Sequence, residues 1–167
     1  HYLNNTCSEY VKSLLIRWYE NKEYNLGVSS NPEFYTMHLA AAMKRKYEEE
    51  NNFTYDVVIR SRPDFLHLHT DIEKYFGDLE NTCYHINTGK TYAPNRVYPM
   101  FILSDSKTMD TLCKCWEDYD KITETSHSIN YGKYDTCRLM YAQCLENGIK
   151  MQSFDKVLGD CFRLENY

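Results

Sequence analysis

Several features that would assign a function at once are missing from this sequence of 167 residues. Its apolar runs fall far short of the ~18 residues that a membrane-spanning helix requires, so we expect no transmembrane segment. The first ten residues, HYLNNTCSEY, contain no basic region followed by an apolar one, and we expect no signal peptide. The chain begins without an initiator methionine, as a fragment of a longer protein would.

The sequence also has no excess of positive charge. Its 19 Lys and Arg residues are outnumbered by 24 Asp and Glu residues, which gives a net charge of -5. Because phosphate contacts dominate the affinity of proteins for nucleic acids, this balance disfavours general nucleic-acid binding. It leaves room for a local basic pocket that holds a single diphosphate.

Motifs of nucleophilic catalysis and of disulfide frameworks are absent as well. No Ser or Cys stands in a nucleophile elbow or a catalytic cysteine signature, and TGK at residues 88–90 lacks the glycine spacing of a P-loop. The seven cysteines are odd in number and irregularly spaced, which indicates free thiols and a reducing, cytoplasmic compartment. Cys137 and Cys144 fall on the apolar face of an expected helix and are typical of small core residues.

Helical and extended patterns alternate along the chain, which predicts one α/β domain over residues 1–167. Pro32 at a first helical position and Asp105 or Ser104 as a cap mark two helix starts, and Gly148 marks a helix end. The expected elements are helices from residue 6, from residue 31 to the charged run KRKYEEE, from residue 105, and over 134–147; strands over 55–62, within 82–87, over 97–104 and over 149–155; and a polar loop over 123–134.

The stretch YDVVIRSRPDF places charged residues at the end of an apolar strand. Strand alternation puts Arg60, Arg62 and Asp64 in phase, and open α/β sheets bind ligands beyond the carboxyl ends of their strands. Arginine binds phosphate in a bidentate manner, and a carboxylate is the usual ligand for Mg²⁺ or Mn²⁺. The alternative is structural: an arginine pairs with Asp64 or a neighbouring Glu and ties the strand to a helix.

The segment YEEENNFTYDVVIRSRPDF, with SDSKTMDTL and YAQCLENGIKM after it, resembles a glycosyltransferase-like family of large DNA viruses and microbial polysaccharide clusters. Members carry a strand that ends in Arg-x-Arg-Pro-Asp, and the resemblance spans residues 32–151. It implies a GT-A-like, Rossmann-like mixed sheet flanked by helices, a nucleotide-sugar donor, Mn²⁺ or Mg²⁺, and a glycan or protein acceptor. It also implies that Asp64 is a catalytic and metal-binding carboxylate, while Arg60 and Arg62 orient the donor phosphates or hold Asp64.

Two departures from the family pattern keep a second interpretation open. Pro99 and Met100 stand where relatives carry a carboxylate before the Phe, which leaves Asp105 as its candidate catalytic substitute. Only 54 residues precede Tyr55, so the first donor-binding strands are absent, supplied by another chain or lost by truncation. The alternative is a non-catalytic module derived from a glycosyltransferase, which associates with a protein partner or with itself in a viral particle or a larger assembly.

Overall fold

The structure is a computed structural model that describes residues 30–62, 72–86, 95–128 and 136–154. Helices and strands alternate through these residues, which confirms the predicted α/β class. The elements are, in chain order, α1 (Ser30–Asn51), β1 (Val58–Ser61), a 3₁₀ turn (Ile72–Tyr75), β2 (Thr82–His85), β3 (Phe101–Ser104), α2 (Ser106–Leu112), a second 3₁₀ turn (Cys113–Trp116), α3 (Tyr119–Ser128), α4 (Thr136–Glu146) and β4 (Lys150–Ser153).

The four strands form one mixed sheet in the order β1-β3-β2-β4. Strand β3 runs antiparallel to both β1 and β2, whereas β2 and β4 are parallel. Within the described residues β1 therefore lies at one edge of the sheet and pairs only with β3. The mixed sheet with helices agrees with the predicted architecture at that level, and its GT-A identity stays a prediction.

Side chains alternate between the two faces of the sheet and build two apolar clusters. On one face Cys83 and Ile102 pack against the helices, and on the other Tyr84 and Leu103 pack against the first 3₁₀ turn and Phe154. All four residues of β3 are buried, because this strand has a neighbour on each side and a cluster on each face. The helix-side cluster positions α1 over the edge strand β1, and this arrangement builds the site described below.

Local signals in the sequence fix the ends of two helices. Asp105, one of the two predicted candidates, caps α2, because its Oδ1 accepts a hydrogen bond of 2.6 Å from the Thr108 N–H. Gly148 follows α4 with φ +62°, a left-handed conformation that confirms the predicted helix end. The helix predicted from residue 6 lies outside the described residues.

Other boundaries differ from the expectations. The strand predicted over residues 55–62 begins only at Val58, and the one predicted over 97–104 begins at Phe101. The polar loop predicted over 123–134 is wrong for residues 123–128, which continue α3. Over residues 119–126, where burial is described, only Ile122 and Ser126 of that polar helix are fully buried, so few apolar residues mark it in the sequence. Leu145, predicted to face inward, is 42% exposed.

Candidate functional site

A cavity of about 780 Å³ lies between α1 and the edge strand β1. Its volume falls within the range of small-molecule sites in proteins, about 300–1,000 Å³. Helix α1 forms one wall, β1 forms the other, and two side chains from α2 and the turn after it close the floor. The lining residues are Glu33, Thr36, Met37, Ala40, Ala41, Lys44, Val58, Ile59, Arg60, Ser61, Arg62, Met109 and Cys113.

Arg60 is the central charged residue of this cavity. It lies opposite Ile102 in the β1–β3 register, so its side chain is on the helix-covered face of the sheet. Its Nη2 donates a hydrogen bond of 2.7 Å to Glu33 Oε1 on α1, in an ion pair whose side chains are 18% and 21% exposed. Its Nη1 is buried and has no hydrogen-bond partner among the described residues. The ion pair thus holds the guanidinium while leaving one buried donor unused.

The Glu33–Arg60 pair agrees in part with the structural role considered for the motif, in which an arginine ties the strand to a helix. An arginine of the motif does tie the strand to a helix, but the helix is α1, which precedes the strand, and the partner is Glu33. Sequence reasoning had no signal for this pairing, since the two residues are separated by 27 positions. A single carboxylate satisfies one side of a guanidinium, which carries five donors in a planar fork. The structural role and a binding role are therefore compatible in the same side chain.

Arg62 extends the cationic character toward the end of the strand. Its backbone N–H donates to the Met100 carbonyl at 2.9 Å, which continues the β1–β3 pairing by one residue. The residue is exposed and lines the cavity together with Arg60. Asp64 lies outside the described residues, and its assignment as a catalytic and metal-binding carboxylate stays a prediction.

Asp105 lies apart from the two arginines. Because β3 is antiparallel to β1, Asp105 follows Ser104 at the Val58 end of β1, and Arg62 lies about 13 Å further along the strand. The Asp105 Oδ2 accepts hydrogen bonds from the Thr108 hydroxyl at 2.9 Å and the Asn81 N–H at 3.2 Å. Both carboxylate oxygens thus serve the start of α2, and the residue does not line the cavity. Its catalytic role stays a prediction that the structure gives no geometric support.

Lys44, which sequence reasoning assigned to a solvated charge run, is instead buried beside the cavity. Its Nζ donates to Glu48 Oε2 at 2.8 Å, to Asp110 Oδ2 at 3.2 Å and to the Ser106 hydroxyl oxygen. Glu48 Oε1 also accepts from the Ser106 hydroxyl at 2.6 Å and from the Tyr55 N–H at 2.9 Å. This network joins α1 to α2 and to the segment that enters β1. In the sequence, the i,i+4 spacing of Lys44 and Glu48 is the signal that could have predicted their pairing.

The protonation of Glu48 follows from this network. Burial alone would raise the pKa of the Glu48 carboxyl, but the hydrogen bonds from Lys44, Ser106 and the Tyr55 N–H, with the charge of Lys44, lower that pKa below its usual 4.5. Glu48 is therefore ionised near neutral pH. With its charge compensated by Lys44, the pair stabilises the wall of the cavity and adds little net charge to it.

Cys113 contributes to the floor without nucleophilic character. Burial raises the pKa of its thiol to about 12, although the nearby Arg60 guanidinium opposes that shift. A thiol with such a pKa is almost entirely protonated near neutral pH, whereas nucleophilic cysteines need a lowered pKa. Cys113 is thus an apolar floor residue. Of the two cysteines predicted in the core, Cys144 is fully buried and Cys137 is partly buried.

The described residues do not supply a divalent-metal site. No group of three or more His, Cys, Asp and Glu side chains among them has the geometry to hold an ion. Glu33 is the one carboxylate that lines the cavity in this part of the chain, and Arg60 already pairs with it. The predicted Mn²⁺ or Mg²⁺ site therefore depends on Asp64 and stays a prediction.

Two further findings bear on identity. No helix within the described ranges is both long and apolar enough to cross a bilayer. Comparison with family models, with curated proteins and with solved structures gives no match to the chain. Membership of a glycosyltransferase-like family therefore stays a prediction from the Arg-x-Arg-Pro-Asp segment of the sequence.

Proposed function

We propose that this chain is a glycosyltransferase-like domain that binds the diphosphate of a nucleotide-sugar donor at the carboxyl end of β1 and transfers the sugar to an acceptor. One observation carries the proposal: Arg60 lines a cavity of about 780 Å³ and keeps a buried guanidinium nitrogen, Nη1, without a partner among the described residues. A buried, unsatisfied donor is costly, and an anion at this position would satisfy it.

The charges around the cavity favour a phosphate ligand. Arg60 and Arg62 stand two residues apart on one face of β1, and Lys44 lines the same cavity. Glu33 neutralises part of the Arg60 charge, and Glu48 and Asp110 compensate Lys44. Arg62, which is exposed at the strand end, lines the same cavity on the side where a donor diphosphate would arrive. Guanidinium groups suit phosphate oxygens because they donate parallel hydrogen bonds from a planar fork.

In this proposal the arginines act on the leaving group. Transfer breaks the bond between the anomeric carbon of the sugar and a diphosphate oxygen, and negative charge develops on that oxygen. Fixed cationic donors that face developing charge lower the barrier, because they are already oriented when the bond breaks. Glu33 acts as a positioning residue that holds the Arg60 guanidinium. Asp64 follows Arg62 by two residues in the sequence, and dependence on Mn²⁺ or Mg²⁺ is part of what the assay below tests.

A second candidate function is a non-catalytic interaction module, and an exposed aromatic cluster favours it. Tyr47, Phe53 and Tyr55 lie together where α1 leads into β1, with Phe53 and Tyr55 ring centroids 4.7 Å apart. Met43, four residues before Tyr47 on the helix, is 75% exposed. Contiguous exposed apolar residues of this kind mark interaction surfaces in soluble proteins. This cluster precedes β1 and is thus separated from Arg62 by the length of the strand.

The two functions are separated by an assay of donor turnover. The full chain is incubated with UDP-sugars and GDP-sugars, with and without Mn²⁺, and release of the nucleoside diphosphate by transfer of the sugar to water or to octyl phosphate is measured. The transferase proposal predicts metal-dependent release that falls at least tenfold in Arg60→Gln and in Asp64→Asn. Asp56→Asn, which removes an exposed carboxylate just before β1, is the matched control and should retain turnover. Absence of turnover with every donor, or turnover unchanged in both variants, would contradict it.

A further inference from the structure

The cavity between α1 and β1 has an aliphatic and sulfur-containing floor. Met37 and Ala41 of α1 meet Met109 of α2 and Cys113 of the turn that follows it, and all four are buried. None of the described residues that line the cavity is aromatic. Proteins that bind nucleobases commonly stack them on aromatic rings, and this floor offers none. Methionine side chains instead adapt their shape to flexible apolar groups.

One end of the same cavity holds the Arg60 guanidinium, whose charge Glu33 neutralises in part. The Arg60 guanidinium borders the apolar floor, and its Nη1 is the buried donor that lacks a partner in the described part of the chain. Val58, on the same face of β1, continues the apolar surface away from Arg60. The cavity therefore pairs an apolar channel with an anion-binding group. A ligand that complements it in charge and polarity has an aliphatic chain and a terminal anion.

We propose that this cavity binds a lipid phosphate, an aliphatic chain that ends in a phosphate group, as the acceptor of the sugar. The inference rests on the proposed function, because it names the acceptor class for that same site. The chain lies over Met37, Ala41, Met109 and Cys113, while the phosphate accepts a hydrogen bond from Arg60 Nη1. The donor diphosphate lies toward Arg62 and the strand end and accepts a hydrogen bond from the second N–H of Arg60 Nη1, since each terminal nitrogen of a guanidinium carries two donors.

The transfer that follows is balanced in atoms and electrons. A phosphate oxygen of the lipid forms a bond to the anomeric carbon, and the bond from that carbon to the donor diphosphate breaks. The nucleoside diphosphate leaves with the electron pair, so no proton, oxidant or reductant is required. The lipid phosphate loses one negative charge and the departing diphosphate gains one. Arg60 and Arg62, two residues apart, both line the cavity and thus lie near both the lipid phosphate and the donor diphosphate.

Calorimetric titration of the full chain with a series of probes tests the inference. The probes are inorganic phosphate, butyl phosphate, hexyl phosphate, octyl phosphate below its micelle concentration, and octanol. Burial of each methylene group in an apolar channel is expected to tighten the Kd by about fourfold. Ala40→Phe narrows the cavity from an exposed position of α1 and should abolish this gain, whereas Met43→Phe, on the same helix outside the cavity, should leave it unchanged.

The outcomes separate this inference from the proposed function. Tightening with chain length that needs both the phosphate and Arg60, tested with Arg60→Gln, supports a lipid phosphate. If inorganic phosphate binds as tightly as octyl phosphate, or octanol binds as tightly as octyl phosphate, the inference is overturned. Donor turnover that persists in Ala40→Phe, together with no binding of any alkyl phosphate, overturns the inference while the transferase proposal stands. Circular dichroism of each variant confirms that the fold is retained.

Discussion

The buried ion pair between Lys44 and Glu48 carries the most specific prediction about stability. Their side chains are 12% and 10% exposed and 2.8 Å apart, and Lys44 also donates to Ser106 and Asp110. We consider Lys44→Met, which keeps the apolar stem of the side chain but removes the ammonium group and its charge. Glu48 then stays buried with only the Ser106 hydroxyl and the Tyr55 N–H as donors.

The expected loss of unfolding free energy is about 3–5 kcal/mol, the cost of leaving one member of a buried ion pair uncompensated. This is a large part of the 5–15 kcal/mol that stabilises a typical domain. Exposed pairs behave differently, at about 0.2–1 kcal/mol. Lys46 and Glu50 provide the matched control on the same helix, with the same i,i+4 spacing, 3.6 Å apart and 74% and 60% exposed. Lys46→Met should therefore cost no more than about 0.5 kcal/mol.

The difference between wild type and Lys44→Met should depend on pH. The folded-state pKa of Glu48 lies below its usual value of 4.5, so its contribution is fully present above pH 4.5 and is lost as the pH falls through the lower, folded value. In the variant, burial raises the pKa of Glu48 without the opposing lysine. The stability difference should thus be largest at neutral pH and should narrow as the pH falls from the raised pKa of Glu48 in the variant to its lowered pKa in the wild type.

Urea denaturation followed by circular dichroism, from pH 3 to pH 8, measures both effects. The double variant Lys44→Met with Glu48→Gln should lose less than the sum of the two single losses, because it leaves no unpaired charge. A loss below about 1 kcal/mol in Lys44→Met at pH 7, equal to that of Lys46→Met, would refute the reasoning. It would mean that water solvates this network as it does a surface pair.

Three further outcomes are expected. Asp105→Ala should cost about 0.5–2 kcal/mol of unfolding free energy through loss of the α2 cap, and Asp105→Ser should restore most of it; a loss of donor turnover in the stable Ser variant would instead indicate a catalytic carboxylate. Cys113 should resist alkylation by iodoacetamide at pH 8 in the folded chain, because burial raises its pKa to about 12, and rapid labelling in peptide mass mapping would contradict this. Gly148→Ala should lower the unfolding free energy, measured by urea denaturation, by about 1 kcal/mol, because its φ of +62° is unfavourable for alanine although no atom crowds the new Cβ. Gly77→Ala is the control, since it is equally uncrowded and has no positive φ, and it should cost clearly less. Equal losses in the two variants would contradict the explanation by backbone conformation.

Residues that act through local chemistry were predictable from the sequence. Asp105 as one of two cap candidates and Gly148 as a helix end depend on neighbours within a few positions. The same holds for the α/β class, which follows from the alternation of patterns. These features are set by backbone geometry and by hydrogen bonds within one element, so a single sequence contains them.

Features that depend on distant partners were not predictable. Glu33 meets Arg60, and Lys44 meets Ser106 and Asp110, only because the fold brings α1 against β1 and α2. The polar run at residues 123–128 continues a helix that packs on the core through Ile122, although its composition is typical of a loop. Tertiary packing overrides local polarity there. The cavity itself has no linear signal, since its walls come from separate parts of the chain.

The most direct test of the central claim, that the end of β1 binds the diphosphate of a sugar donor, is calorimetric titration with UDP and GDP in the presence and absence of Mn²⁺. The account predicts metal-dependent binding that disappears in Asp64→Asn and weakens at least tenfold in Arg60→Gln. Lys107→Gln, which removes an exposed charge away from the cavity, should bind as wild type does. No binding of either nucleotide by the wild-type chain, or binding that all three variants retain, would contradict the claim.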